Sequence, residues 1–479
     1  MQPAHKELKT PEERFDHYVE LLTETMGHAD RAEPLRAYTT GLMLPGGRKS
    51  VEPMAARIDP RNVRSKHQSM HHFVADAPWS DERVLGRVRE FALPALREHG
   101  PIEAWLLDDT GIPKKGTHSV GVARQYCGQL GKTENCQVAV SLSIANEFAS
   151  LPIAYQLYVP EEWAEDRERC SKAGVPEGVT FRTKPQIALA QIRTALAAGV
   201  PEGVVAADAG YGNGAEFRDE LKGMGLRYAV GVLSTTRVWA EGRRPLPPPE
   251  WSGNGRPPTR LRRAPEYQPV TAKELALENK ARFRCVSWRE GTKGKLRGRF
   301  LALRVRSAHR DYQRREARDE EWLVVEWPES EPEPTKYFLS TLPKRTSLRQ
   351  LVGRVKIRWR IERDYEELKQ ELGLTHYEGR GWRGFHHHAT LTIAAYAFLV
   401  AERGRFSPSG AGGGTPQRKA ARVPRGFRPR GSPTPARAAC ADLDRLDAHT
   451  PHCGVGAYAA PLSVLSASQH PRTDPQEAP

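Results

Sequence analysis

Apolar positions recur at helical spacing through most of residues 1–100, interrupted at "MLPGGRKSVEPMAARIDP" and again at "ADAPWSDERVLGRV". Ser80, with Glu82 and Arg83 ahead of an apolar-periodic run, predicts a helix start. From residue 101 the period changes. "IEAWLLDD" is a short apolar run ending in two carboxylates, and "CQVAVSLSIAN" alternates Val138, Val140, Leu142 and Ile144 as a half-buried strand does. "ASLPIAYQLYVP" follows at hairpin distance as a third strand. "TKPQIALAQIRTALAAG" reads as a helix, with Thr183 at its start, Pro185 in the first turn and Gly199 at its end. "GVVAADAGYG" is the next strand, followed by the helix "NGAEFRDELKGMG" and the strand "RYAVGV". This order predicts an α/β fold with a mixed sheet flanked by helices.

The periodicity also divides the chain. A helical region spans 1–100 and the first part of an α/β core spans 101–234. A Pro/Gly-rich break, "RRPLPPPEWSGNGRPP", opens a β-rich insertion at 235–340, with the strand-like runs "RFRCVSW", "RGRFLALRVRSA", "EEWLVVEWP" and "TKYFLST". Helical character returns over 341–403, at "SLRQLVGRVKIRWRIERDYEELKQELGL" and "HHHATLTIAAYAFLVAERGRF". Residues 404–479 are Gly-, Pro-, Arg- and Ala-rich without a period, the composition of a disordered basic tail.

Composition sharpens this picture only in part. A chain of 479 residues suggests two or three domains. No window reaches a membrane-spanning apolar run, and the first residues have no signal-peptide core, so a cytoplasmic protein is expected. Cys127, Cys136, Cys170, Cys285, Cys440 and Cys453 form no C-x-x-C pair and read as reduced thiols. Lys and Arg exceed Asp and Glu by 15, which favours a polyanionic partner, nucleic acid first. Nine of the basic residues lie between Arg403 and Arg437, so part of the excess is local. The basic stretch Arg48, Lys49, Arg57, Arg61, Arg64, Lys66 and His67 makes the helical region a candidate DNA-binding module, or a solvated helical face.

Three acids have settings suited to chemistry. Asp108 closes the first predicted strand, Asp208 closes the fourth, and Glu362 lies on "KIRWRIERDYEELKQEL". If those strands are neighbours, both aspartates emerge together and a helix-borne glutamate can complete the cluster. Like-charged carboxylates repel unless neutralised. Hard divalent ions take oxygen ligands, and a pair of them suits in-line phosphoryl transfer. On one continuous helix with Arg358 at the origin, Glu362 falls near about +40°, Lys369 near about +20° and Tyr365 near about −20°. Ile361, Leu368 and Leu372 form the adjacent apolar stripe. Arg358 and Glu362 are also an ordinary i,i+4 pair, so a solvated ladder is the alternative.

"DDTG", "ADAGYG" and "RWRIERDYEELKQELGL…EGRGWRGFHHH" together resemble an insertion-sequence transposase of the DDE superfamily. The resemblance is to the group with a Tyr-Arg-Glu-Lys signature, in which Arg precedes the glutamate by four and Lys follows it by seven. Arg358, Glu362 and Lys369 match; the signature's tyrosine falls on Val355, a departure. The resemblance covers roughly residues 30–400 and implies a ribonuclease-H-like core. It further implies two Mg²⁺ ions, replaceable by Mn²⁺, held by Asp108, Asp208 and Glu362 for DNA end cleavage and strand transfer. Asp108 is favoured over Asp109 because such enzymes tend to carry Asp-x-Ser/Thr, here Asp108 and Thr110. By the same resemblance Arg358 and Lys369 contact phosphates. Lys114, Lys115 and His118 are candidate phosphate contacts or a solvated loop. The implied partners are double-stranded DNA, both terminal inverted repeats and target, and a second copy in a homodimer; no membrane is implied.

Trp382 could stack on an unpaired base or be buried. His386, His387 and His388 resemble a metal cluster, but three consecutive helical side chains cannot face one ion. Two other functions compete. One is a ribonuclease-H-like nuclease without strand transfer. The other is a decayed transposase copy that only binds DNA, a reading kept open by the aperiodic end "CGVGAYAAPLSVLSASQHPRTDPQEAP".

Overall fold

Residues 11–98 fold as α1 (Pro11–Met26), α2 (Ala32–Met43), α3 (Val51–Ile58), α4 (Val63–Ala75) and α5 (Asp81–Glu98) in a computed structural model that describes residues 10–291 and 294–406. The expected basic tail lies outside the described residues beyond Phe406. Thr10 and Glu13 form a reciprocal capping box at the start of α1. Ser80 caps α5, as its sequence setting predicts, by accepting a hydrogen bond from the Arg83 amide.

The strands β1 (Ala104–Pro113), β2 (Ala123–Cys127), β3 (Lys132–Ala145) and β4 (Ser150–Leu157) come next, followed by α6 (Glu161–Glu165), α7 (Arg167–Lys172) and α8 (Lys184–Ala197). Then come β5 (Val204–Ala207), α9 (Ala209–Gly212), α10 (Ala215–Gly223) and β6 (Tyr228–Val232). The expected insertion holds β7 (Arg237–Trp239), β8 (Val270–Thr271), α11 (Ala272–Glu278), β9 (Arg284–Gly291), β10 (Gly294–Ser307), β11 (Glu321–Trp327) and β12 (Lys336–Ser340). The described chain ends in α12 (Leu348–Lys356), α13 (Trp359–Gln370) and α14 (Trp382–Phe406).

These strands form one mixed sheet in the order β2-β3-β1-β5-β6-β12-β11-β10-β7-β8, with β4 on β3 and β9 on β10. The β1–β5 and β5–β6 pairings are parallel and the others antiparallel. The β-rich segment therefore continues the same sheet, joined through β12 on β6.

Two sequence expectations need correction. Asp108 does not close β1: pairing with β3 runs on to Pro113 opposite Cys136, so the carboxylate stands in mid-strand. The long helix around Glu362 is two helices, with Ile357 and Arg358 between them. The apolar residues explain the break. Measured from Arg358, the buried Leu351, Val352 and Val355 centre near about +65°, and Ile361, Tyr365 and Leu368 near about −55°. A single straight cylinder cannot lay both stripes on one sheet. Amide bonds from Arg360 to Ile357 and from Ile361 to Arg358, each 3.1 Å, tighten the chain at the junction.

α14 ties the N-terminal helices to the sheet. Phe398 packs edge-on to Phe15 at 5.1 Å, Tyr18 donates to the Ala394 carbonyl at 3.0 Å, and Tyr155 of β4 stacks with Phe385. His386, His387 and His388 are all buried and face different partners: the Leu157 amide, the Val74 and Trp79 carbonyls, and Tyr38 with the Gly373 carbonyl. Trp382 is half-buried against the His386 ring at 4.1 Å. No helix among the described residues is long and apolar enough to cross a membrane.

Candidate active site: carboxylates on one face of the sheet

Parallel pairing of Ala104, Trp105 and Leu106 with Val204, Val205 and Ala206 sets the register of β1 against β5. Carried two residues further, that register sets Asp108 beside Asp208 on adjacent strands, about 4.8 Å apart at the backbone. Alternation along the strands puts both side chains on the face covered by α12 and α13. Asp208 caps α9, its Oδ1 accepting from the Gly210 amide at 2.9 Å. α9 can sit this close to β6 because Gly212 has no side chain; a Cβ there would fall 2.2 Å from the Gly231 carbonyl oxygen.

Arg358, at the helix break, donates from Nη2 to Asp108 Oδ1 at 3.0 Å and lies within electrostatic reach of Asp208 and Glu362. The solvated Arg358–Glu362 ladder is not what forms. Glu362 is exposed in the first turn of α13. Lys369 lies close enough to Asp108 to feel its charge, although burial lowers the ammonium overall. Tyr365, expected beside them on the open face, is instead buried and donates to Ser141, whose Oγ lies 3.4 Å from the Asp108 carbonyl. Val355, at the signature's tyrosine position, is buried in an apolar cluster with Leu351 and Phe300.

Asp108 is 20% exposed at its side chain, reachable from solvent yet surrounded by protein. Burial pushes its carboxyl up to about 6, and Asp208 and Asp109 add to that, while Arg358 opposes it. Asp109 points to the opposite face. Its Oδ2 accepts from Lys184 Nζ at 2.6 Å, and its Oδ1 accepts from the Tyr211 hydroxyl. Tyr211 sits in α9 and Lys184 opens α8, so Asp109 pins two helices to β1.

Neither Lys114 nor Lys115 joins this network. Lys114 Nζ donates to the Tyr377 carbonyl at 2.9 Å, while Lys115 and His118 are exposed. Sequence reasoning missed Lys184, the role of Tyr211 inside "ADAGYG", and Arg289 of β9, whose guanidinium lies near Glu362. Their signal is long-range pairing, which no local spacing carries.

Among the described residues, no three His, Cys, Asp or Glu side chains stand close enough to ligate one ion. The donor chemistry nevertheless suits a hard cation. It is all carboxylate oxygen, the ligand type that Mg²⁺ and Mn²⁺ prefer, and Asp208 and Asp109 add their repulsion to the burial that raises Asp108.

Residues 21–295 match the family of DDE superfamily endonucleases. A curated protein of Microchaete diplosiphon, "Probable transposase for insertion sequence element IS701", is 27% identical over 316 residues, covering 65% of this chain and 69% of that protein. Among solved structures, a cryo-EM structure of the piggyBac transposase synaptic complex with hairpin DNA is similar, at 10% identity and a TM-score of 0.39. The match covers 81% of this chain and spans 65% of the piggyBac chain. The family match extends over more than half of the residues: the chain belongs to the DDE superfamily endonucleases.

Proposed function

We propose that the protein is the DNA transposase of an insertion sequence, cleaving element ends and joining them to target DNA on a ribonuclease-H-like core. The observation that carries this reading is the β1–β5 register, which sets Asp108 beside Asp208, with Arg358 bonded to Asp108 and within electrostatic reach of Asp208 and Glu362. Asp108, Asp208 and Glu362 would hold two Mg²⁺ ions, or Mn²⁺ in their place. When bound, the metal pair activates water or a DNA 3′-hydroxyl and stabilises the leaving oxygen. The chain's own groups orient the strand. Arg358 and Lys369 receive phosphates at the cut, and Lys115, with Lys114, lies along the flanking DNA. Asp109 keeps β1 in register by holding Lys184 and Tyr211 on the far face. The helical region 1–100 binds the terminal inverted repeats, and a homodimer brings two ends together.

The test uses as substrate the DNA that flanks the gene, in which this reading requires inverted repeats. Cleavage and strand transfer are expected with Mg²⁺ or Mn²⁺, and Asp108→Ala, Asp208→Ala and Glu362→Ala are each expected to abolish both. Cleavage without joining would favour a nuclease. Binding without cleavage under every metal would point to a decayed copy. Full activity of any one triad variant removes that residue from the site.

A further inference from the structure

The antiparallel ribbon β9–β10 packs one face on α12, with Val286 and Phe300 buried against Leu351 and Val352. Its remaining surface is basic. Between residues 284 and 299 the described cations are Arg284, Arg289, Lys295, Arg297 and Arg299, against a single carboxylate, Glu290. Arg284, Lys295 and Arg297 are exposed, and Arg297 stands opposite Ser287 across the ribbon.

Arg289 differs from the other four. Its guanidinium carbon lies over the Trp359 ring, 3.7 Å from the ring centre, a cation–π contact that seats the side chain. Trp359 opens α13, and Glu362 is one helical turn further on the same face. Arg289 Nε is buried with no hydrogen-bond partner, and the side chain forms no ion pair among the described residues. An arginine seated on a tryptophan, with no ion pair among the described residues, can offer its outer N–H groups to two oxygens of a phosphodiester.

We infer that Arg289, backed by Trp359, is a strand-positioning residue that receives a phosphodiester of DNA running along the β9–β10 ribbon towards Glu362. The inference rests on the transposase reading above and names a surface which that reading does not use.

The test is fluorescence anisotropy of the full chain in EDTA with a labelled duplex of arbitrary sequence, about 30 base pairs long, titrated across salt concentrations. Withdrawing one cation from a phosphate lowers the slope of log K against log salt by about 0.9. Arg289→Gln, which keeps the stem, is expected to show that single decrement and to bind several-fold more weakly at low salt. Arg289→Lys is expected to restore the slope. Lys295→Ala with Arg297→Ala, both on exposed positions, is expected to lower the slope by about 1.8. Melting curves identify any variant that fails to fold, and the exposed double variant then decides. Wild-type slope and affinity in Arg289→Gln, or in the double variant, overturn the inference alone. A wild-type chain with no affinity for duplex DNA overturns it together with the transposase reading.

Discussion

Replacing Asp108 with Asn is expected to stabilise the metal-free protein at neutral pH and to leave it almost unchanged in acid. The folded carboxyl titrates at about 6 against an ordinary value of 3.8, so the unfolded chain releases its proton first. Stability therefore falls as pH rises from about 4 to about 6, and the loss is complete above the folded value. A difference of roughly two units corresponds to about 3 kcal/mol at the plateau, an upper figure because the side chain is not fully enclosed. Between pH 4.5 and pH 7.5 the same titration accounts for about 2 kcal/mol. Asn keeps the shape and removes the charge; Arg358 retains Asp208 and Glu362 as electrostatic partners. Urea unfolding in EDTA at both pH values measures the effect as the stability of Asp108→Asn minus that of wild type. The difference should grow by about 2 kcal/mol from the lower to the higher pH. A difference that is flat with pH, or that shrinks, refutes the claim that Asp108 is held above its ordinary range by burial and by the neighbouring carboxylates.

Arg358→Gln should tighten Mn²⁺ binding measured by calorimetry, because the guanidinium and a cation compete for Asp108; looser binding would show that Arg358 instead helps to assemble the site. Gly212→Ala should depress cleavage even at temperatures where the variant remains folded, since the added Cβ pushes α9, and Asp208 with it, off β6; a fully active variant would show that α9 tolerates the shift. Asp311→Ala should destabilise by about 3–5 kcal/mol in urea, because the buried carboxylate accepts from Trp239 Nε1 at 2.7 Å and Arg263 Nε at 2.9 Å. A loss below 1 kcal/mol would mean that water replaces the missing acceptor, within the roughly 0–1 kcal/mol of an exposed pair.

Much of the element order could be read directly from the periodicity. The alternation of Val138, Val140, Leu142 and Ile144 finds β3, although that strand is buried on both faces from Cys136 to Ala145 and not half-buried, and the Thr183–Gln186 capping box begins α8 where the Thr and Pro signals place a helix start. The mixed sheet flanked by helices follows from that order. Three features escaped for separate reasons. β2, β7 and β8 are 5, 3 and 2 residues long, too short for a period to show. The break at Ile357–Arg358 is invisible to propensity because no Gly or Pro marks it; two apolar stripes about 120° apart accompany it. The two sides of the Asp108–Asp109 pair follow from strand alternation, but which side faces α13 depends on the β1–β5 register. That register joins residues 100 apart in sequence.

The packing of α14 on the first helices has a consequence for synthesis on the ribosome. Tyr18 and Phe15 find their partners at Ala394 and Phe398, and the Val74 and Trp79 carbonyls find theirs at His387. Residues 11–98 therefore cannot finish burying their apolar faces until the chain has been extended past residue 398. At 5–20 residues per second that interval is on the order of tens of seconds. During it the nascent helices hold exposed apolar surface, which makes them clients for a chaperone. A reading-frame lesion upstream of Trp382 would make that exposure permanent. Such a truncated product would be a target for proteolysis.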